Sequence, residues 1–290
     1  MKQHEGALVA QAGAQAGAQA GAYDAPALSE VDARALDEAV KLLERTSLAA
    51  SIAHALGRPA ARLSELVPAP VRRMAERAAH VALERAVAVA ARSIPPGSGP
   101  ARGRFHAALS VASGAAGGAF GLGALAIELP VSTLIILRSI ADVARAEGEE
   151  PQSPETAMAC LEVFALGGRQ PTDDYMDSSY FALRGLLAKS ISDAAKHIAN
   201  QGLASQAGAP ALARLVSTLA PRFGIVASQK MAAQSLPIIG AVGGAAINYA
   251  FARHFHDLAR GHFTVRRLER AYGRELVLRE YGLRVGGGLS

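Results

Sequence analysis

The sequence predicts an all-α protein: a multi-helix bundle in which two glycine-rich apolar helices pack together and a long basic amphipathic helix lies toward the C-terminus. Three observations predict it. No run of β-branched and aromatic residues alternates with polar ones at a period of two. Apolar side chains recur instead at steps of three and four, most clearly along Phe251, Phe255, Leu258, His262, Val265, Leu268 and Tyr272, which is one face of a helix. Helix starts and stops punctuate the chain: Ser29, Ser153 and Pro210 open segments, and Gly57, Gly148 and the pair Gly167-Gly168 close them.

Length and composition narrow the function classes. A chain of 290 residues, half of them apolar, can bury a substantial core. The formal net charge of +5 comes mostly from arginine and is a weak pull toward acidic lipid or nucleic acid. With no tryptophan, 5% aromatics and no RNP-type or zinc-finger spacing, a nucleic-acid partner is not expected. Cys160 is the only cysteine, so no intramolecular disulfide can form and a reducing compartment fits. The opening MKQHEGALVAQ lacks a continuous apolar h-region, so the expected location is cytoplasmic, at a membrane, and not secreted.

Taken in order, residues 1–27 contain three tandem Gln-Ala-Gly-Ala copies, whose small side chains bury too little surface to offset the entropy of ordering, and are expected to be disordered. Residues 28–64 carry an N-terminal helix, started by Ser29 with Asp32 three positions on, as in a loose capping box. Pro68 and Pro70 introduce a second helix over 71–91, and the Pro/Gly-rich stretch 93–103 is a loop or boundary. Pro130 suits the first turn of a helix that runs to about Ala146. Ser153-Pro154-Glu155 starts the next, a helix follows through Tyr180 and Arg184, and Pro221 breaks or kinks the one begun by Pro210. A final long helix extends from about Pro237 to Tyr272, and residues 276–290 are assigned to a C-terminal tail.

Two uncharged runs stand out, Ala107–Ile127 and Met231–Ala252. Gly114, Gly117, Gly118 and Gly121 in the first, and Gly240, Gly243 and Gly244 in the second, place small residues four apart, where another helix can approach closely. The runs read either as a membrane hairpin, since about 20 apolar residues can span, or as a packed helical core, since Gly and Ala add little to insertion. Beyond the second run Arg253, Arg260, Arg266, Arg267 and Arg270 are candidates to bind lipid headgroups, each basic charge at an anionic surface contributing about 1 kcal/mol. Asp257 and Glu269 can pair with neighbouring arginines and weaken that case.

Candidates for chemistry are few. Asp173, Asp174, Tyr180, Arg184, Asn248 and His262 make a candidate polar pocket. His254, His256 and His262 near Asp257 invite a metal, but residues two apart do not share a helix face and zincin spacing is absent, so no metal site is assigned. His262 is placed in the apolar seam, and His254 and His256 toward solvent or headgroups. Cys160 reads as a small buried apolar residue. Gly121-Leu122-Gly123-Ala124-Leu125-Ala126 fits a loose GxGxxA with no strand before it, so no cofactor is expected. The nucleophile elbow, the P-loop and HExxH are all missing, and no catalytic residue is assigned.

The run SQKMAAQSLPIIGAVGGAAINYAF followed by HFHDLARGHFTVRRLERAYG resembles the EcsC protein family, and Glu128-Leu129-Pro130, Ser153-Pro154-Glu155 and the Tyr180–Arg184 segment fit it too. The resemblance covers residues 65–275. It implies a bacterial protein named from an operon that also encodes an ABC transporter, in a family whose molecular activity is not established. The expected function is a membrane-associated accessory or scaffold near a transport or envelope system, with lipid and transport proteins as partners. A helical module binding a lipid or other apolar ligand is the alternative, and an uncharacterised hydrolase is a third.

Overall fold

The computed structural model describes residues 27–45, 48, 51–52, 69–91, 122–168, 179–201, 209–234 and 240–286. Among them are eight helices and no strand: α1 (Glu30–Arg45), α2 (Ala69–Ala91), α3 (Leu122–Ala146), α4 (Pro154–Leu166), α5 (Ser179–Gln201), α6 (Pro210–Gln234), α7 (Gly240–Tyr272) and α8 (Arg274–Gly286). Gly114, Gly117, Gly118 and Gly121, with Asp173 and Asp174, lie outside the described residues, as does the repeat tract.

Helix α4 is the axis. Ser153 caps it, its Oγ accepting from the Thr156 backbone N–H, and Pro154 occupies the first turn where a missing N–H costs nothing. Every residue from Thr156 to Leu166 is buried, which fits a helix that is apolar nearly all round. Five others surround it, namely α2, α3, α5, α6 and α7. Phe164 meets Phe223 of α6 edge-on at 5.1 Å and Phe255 of α7 at 5.2 Å, so an aromatic cluster joins the axis to two of its long neighbours. Cys160 is buried in this helix, and burial pushes its thiol up, away from the reactive thiolate.

The stripe of α7 forms as its spacing predicts: Phe251, Phe255, Leu258, His262, Val265 and Leu268 are all buried. The described part of α7 runs from Gly240 to Tyr272 and is closed by Gly273, whose φ of 86° suits glycine; the expected start at Pro237 lies outside the described residues. Helices α3 and α7 run parallel, as pairings Glu128–Asn248, Ser139–His256 and Glu149–Arg266 advance together along both.

Several expectations are corrected. Pro130 lies well inside α3 rather than in its first turn, and α6 runs on past Pro221 without a break; after Pro130, the Ser132 and Thr133 hydroxyls bond back to the Leu129 carbonyl. Most of the segment assigned to a tail is α8, docked through Leu276, Val277 and Tyr281. His254 is buried, because its ring turns inward against Gly167 and Phe255.

Candidate functional site

Two buried polar groups divide the candidate residues between them. The first lies at one pole of the bundle, where α3 begins, α6 ends and α7 begins. Lys230 of α6 donates to Glu128 of α3 at 2.9 Å and to the Ser132 hydroxyl at 3.2 Å, and its ammonium stands 4.6 Å from the centre of the Phe251 ring. Glu128 also accepts from Asn248 at 2.8 Å and from Gln234 at 3.2 Å. Burial pushes the Lys230 ammonium below its usual range, opposed by the charge and hydrogen bond of Glu128. Three helices are thus tied at one level by one carboxylate.

Around this tie the described part of the second uncharged run packs into the bundle: Met231, Ala233, Ile247, Asn248 and Phe251 are buried, Gly244 is buried and Gly243 half-buried. Yet at the level of Asn248 and Glu128 two large apolar side chains face outward, Tyr249 of α7 and Val131 of α3, each 44% exposed. One to two turns further along come exposed Arg138 and Arg253, the latter paired with Asp257 at 3.2 Å. No helix among the described residues is long and apolar enough to cross a membrane.

The second group lies at the centre. Tyr180 of α5 and His262 of α7 meet, hydroxyl to Nδ1, at 3.0 Å, and Arg184 reaches over the Tyr180 ring at 5.4 Å while one of its guanidinium nitrogens donates to both carboxylate oxygens of Glu269. Tyr180, Arg184 and His262 of the candidate pocket therefore do come together, whereas Asn248 belongs to the pole. Burial pushes the Tyr180 hydroxyl up, so it is no activated nucleophile. Sequence reasoning missed Glu162, buried in α4 with an oxygen 3.8 Å from His262 Nε2; its signal was a lone carboxylate in the apolar string AMACLEVFAL. Tyr281 of α8 stacks on Tyr180 at 5.5 Å and donates to Glu44 of α1, extending the group to the terminal helices.

The remaining arginines are mostly engaged. Arg270 bonds Glu149, to which Arg266 also donates at 2.9 Å, and Arg267 donates to Glu147 and to Asp32 at 2.9 Å. Burial pushes Glu149 up, but the hydrogen bonds and charges of Arg266 and Arg270 prevail and hold it below the usual carboxylate range. Arg260 is exposed. No group of three or more His, Cys, Asp or Glu suited to a metal occurs among the described residues.

The model of the EcsC protein family matches residues 30–268, from the first turn of α1 almost to the end of α7. Neither a curated protein nor a solved structure matches the chain.

Proposed function

We propose that this chain, which belongs to the EcsC protein family, is a membrane-peripheral accessory or scaffold protein that meets an anionic lipid surface with the pole built around Glu128, Lys230 and Asn248. The carrying observation is the order of surfaces along α3 and α7. Uncharged sequence leads into both helices, Val131 and Tyr249 are exposed apolar groups at one level, and Arg138 and Arg253 follow. A tyrosine at headgroup depth with arginines behind it is the arrangement that an apolar-to-polar interface favours. Further along α7, Arg266, Arg267 and Arg270 are compensated internally by Glu149, Glu147 and Asp32, which leaves Arg138, Arg253 and the exposed Arg260, on the side nearer the pole, to attract lipid. The protein's part near a transport or envelope system is then positional: a rigid helical body held at the bilayer, offering its remaining surface to partners.

Cell fractionation with the full chain tests this. Sedimentation with membranes that is released by high salt, and lost in Tyr249→Asp and in Arg253→Glu while the unfolding midpoint stays put, is the expected result. Retention through carbonate would mean insertion and sink the peripheral reading. A chain wholly in the supernatant would sink membrane contact altogether, and lipid extracted from that supernatant would favour a lipid-binding module.

A further inference from the structure

The membrane pole makes no use of Glu162 and His262, which are both buried at the centre. An ionised carboxylate and imidazolium in so dry a place would close to a charge-assisted hydrogen bond of about 2.7–2.9 Å. They stand 3.8 Å apart, and His262 Nε2 makes no hydrogen bond. That gap is not the geometry of a closed ion pair.

The surroundings agree. The charges acting most strongly on Glu162 are Arg184 from α5, Arg266 and Glu269 from α7, and Arg274 from α8. Arg184 is answered by Glu269 and Arg266 by Glu149 beyond α3, so neither cation is left for Glu162. Tyr180 of α5 holds His262 Nδ1, Glu44 of α1 is taken by Tyr281 and by the Tyr180 N–H, and α2 and α6 supply none of the leading charges.

We propose that folding hands one proton from His262 to Glu162, burying a carboxylic acid beside a neutral imidazole, and that this internal exchange cancels the pair's own contribution to the pH dependence of stability across mildly acidic pH. In the unfolded chain near pH 5.5 the carboxyl is ionised and the imidazole carries the proton; in the folded chain the reverse holds, and the proton count is the same.

The two groups viewed singly have opposite slopes. Burial pushes the Glu162 carboxyl from 4.5 up to about 7, partly offset by Arg184 and Arg266, so its contribution is full below 4.5 and is lost as pH rises to about 7. Burial, then the charges of Arg184 and Arg266, holds His262 well below 6.5, so its contribution is present above 6.5 and is lost as pH falls. Between 4.5 and 6.5 the slopes cancel.

Urea unfolding of the parent chain, Glu162→Gln, His262→Gln and the double variant, at steps between about pH 4.5 and 6.5, tests the exchange. Relative to the parent, the folding constant of Glu162→Gln is expected to rise by roughly 100-fold across the window. That of His262→Gln is expected to fall by a similar factor, and the double variant to run parallel to the parent. Buried His254, held down to about 4, titrates alike in all four and drops out of the differences. Single variants that both run parallel to the parent, or both tilt the same way, overturn the proposal. Should a variant not fold, infrared spectra of the parent decide: the carbonyl stretch of a protonated carboxyl is expected near pH 6 and lost above about pH 8, and its absence near pH 6 refutes the exchange. Neither result depends on membrane contact.

Discussion

At the pole, Lys230 and Glu128 are buried as an ion pair 2.9 Å apart; at the centre, His262 and Glu162 are buried as deeply, yet stand 3.8 Å apart with no hydrogen bond between them. The difference lies in the donors. Glu128 accepts from Lys230, Asn248 and Gln234, so its charge is met on several sides. Among the described residues no hydrogen bond reaches the Glu162 carboxyl, and Arg184 and Arg266 nearby are spent on other acids. A buried acid keeps its charge where the fold supplies partners and surrenders it where the fold supplies only apolar packing.

The comparison breaks most readily at the pole. Lys230→Met leaves Glu128 charged, buried and short of its cation, and should cost about 3–5 kcal/mol. Adding Glu128→Leu should recover most of it, since a well-packed apolar pair replaces a buried ion pair at little cost. Urea denaturation measures both; a double variant no better than the single one would show that the amide donors, rather than the charge, set the requirement. At the centre the matching cut is Tyr180→Phe, which keeps the ring stack and removes the partner of His262 Nδ1. Its expected cost is about 1–3 kcal/mol, smaller because no charge is stranded. An equal or greater loss than Lys230→Met would mean that the central group is ionic after all.

On the outer surface of the pole, Tyr249→Asp and Arg253→Glu should change stability by less than about 0.5 kcal/mol while removing membrane sedimentation. A large loss of stability would place these side chains in the structure of the pole rather than on its contact face. Cys160 gives the smallest effect, none on the native fold. Thiol reagents should label it only as fast as the chain opens globally, and prompt labelling in native buffer would show that the axis helix is accessible.

Much of this was legible locally. Ser29 and Ser153 cap the helices they announce, and the α7 stripe needed only its spacing. What escaped was set by partners far away in sequence. Lys230 and Glu128 border the two uncharged runs, but 102 residues separate them and nothing in either neighbourhood points to the other. Arg266, Arg267 and Arg270 read as a basic face because Glu147, Glu149 and Asp32 sit more than 100 residues away. His254 was misplaced for a subtler reason: it lies beside Phe255 on the rim of the stripe, where the period alone does not say which way a ring turns. Residues 276–290 were assigned to a tail because Arg274, Glu275, Arg279 and Glu280 mask the stripe of Leu276, Val277 and Tyr281.

Helix α1 packs on α7 so closely that a Cβ at Gly261 would come within 2.7 Å of the Leu43 side chain, and Asp32 bonds Arg267 across 235 residues. During synthesis the first helix therefore waits for nearly the last. At roughly 5–20 residues per second, Leu36, Val40 and Leu43 stay uncovered for about 10–50 s on the ribosome. Chains stalled before Gly240 should be cut readily within α1 by protease, and released full-length chains should resist. Chaperones have their longest opportunity on this protein at its beginning, and a mutation in α7 is felt first as an orphaned N-terminus.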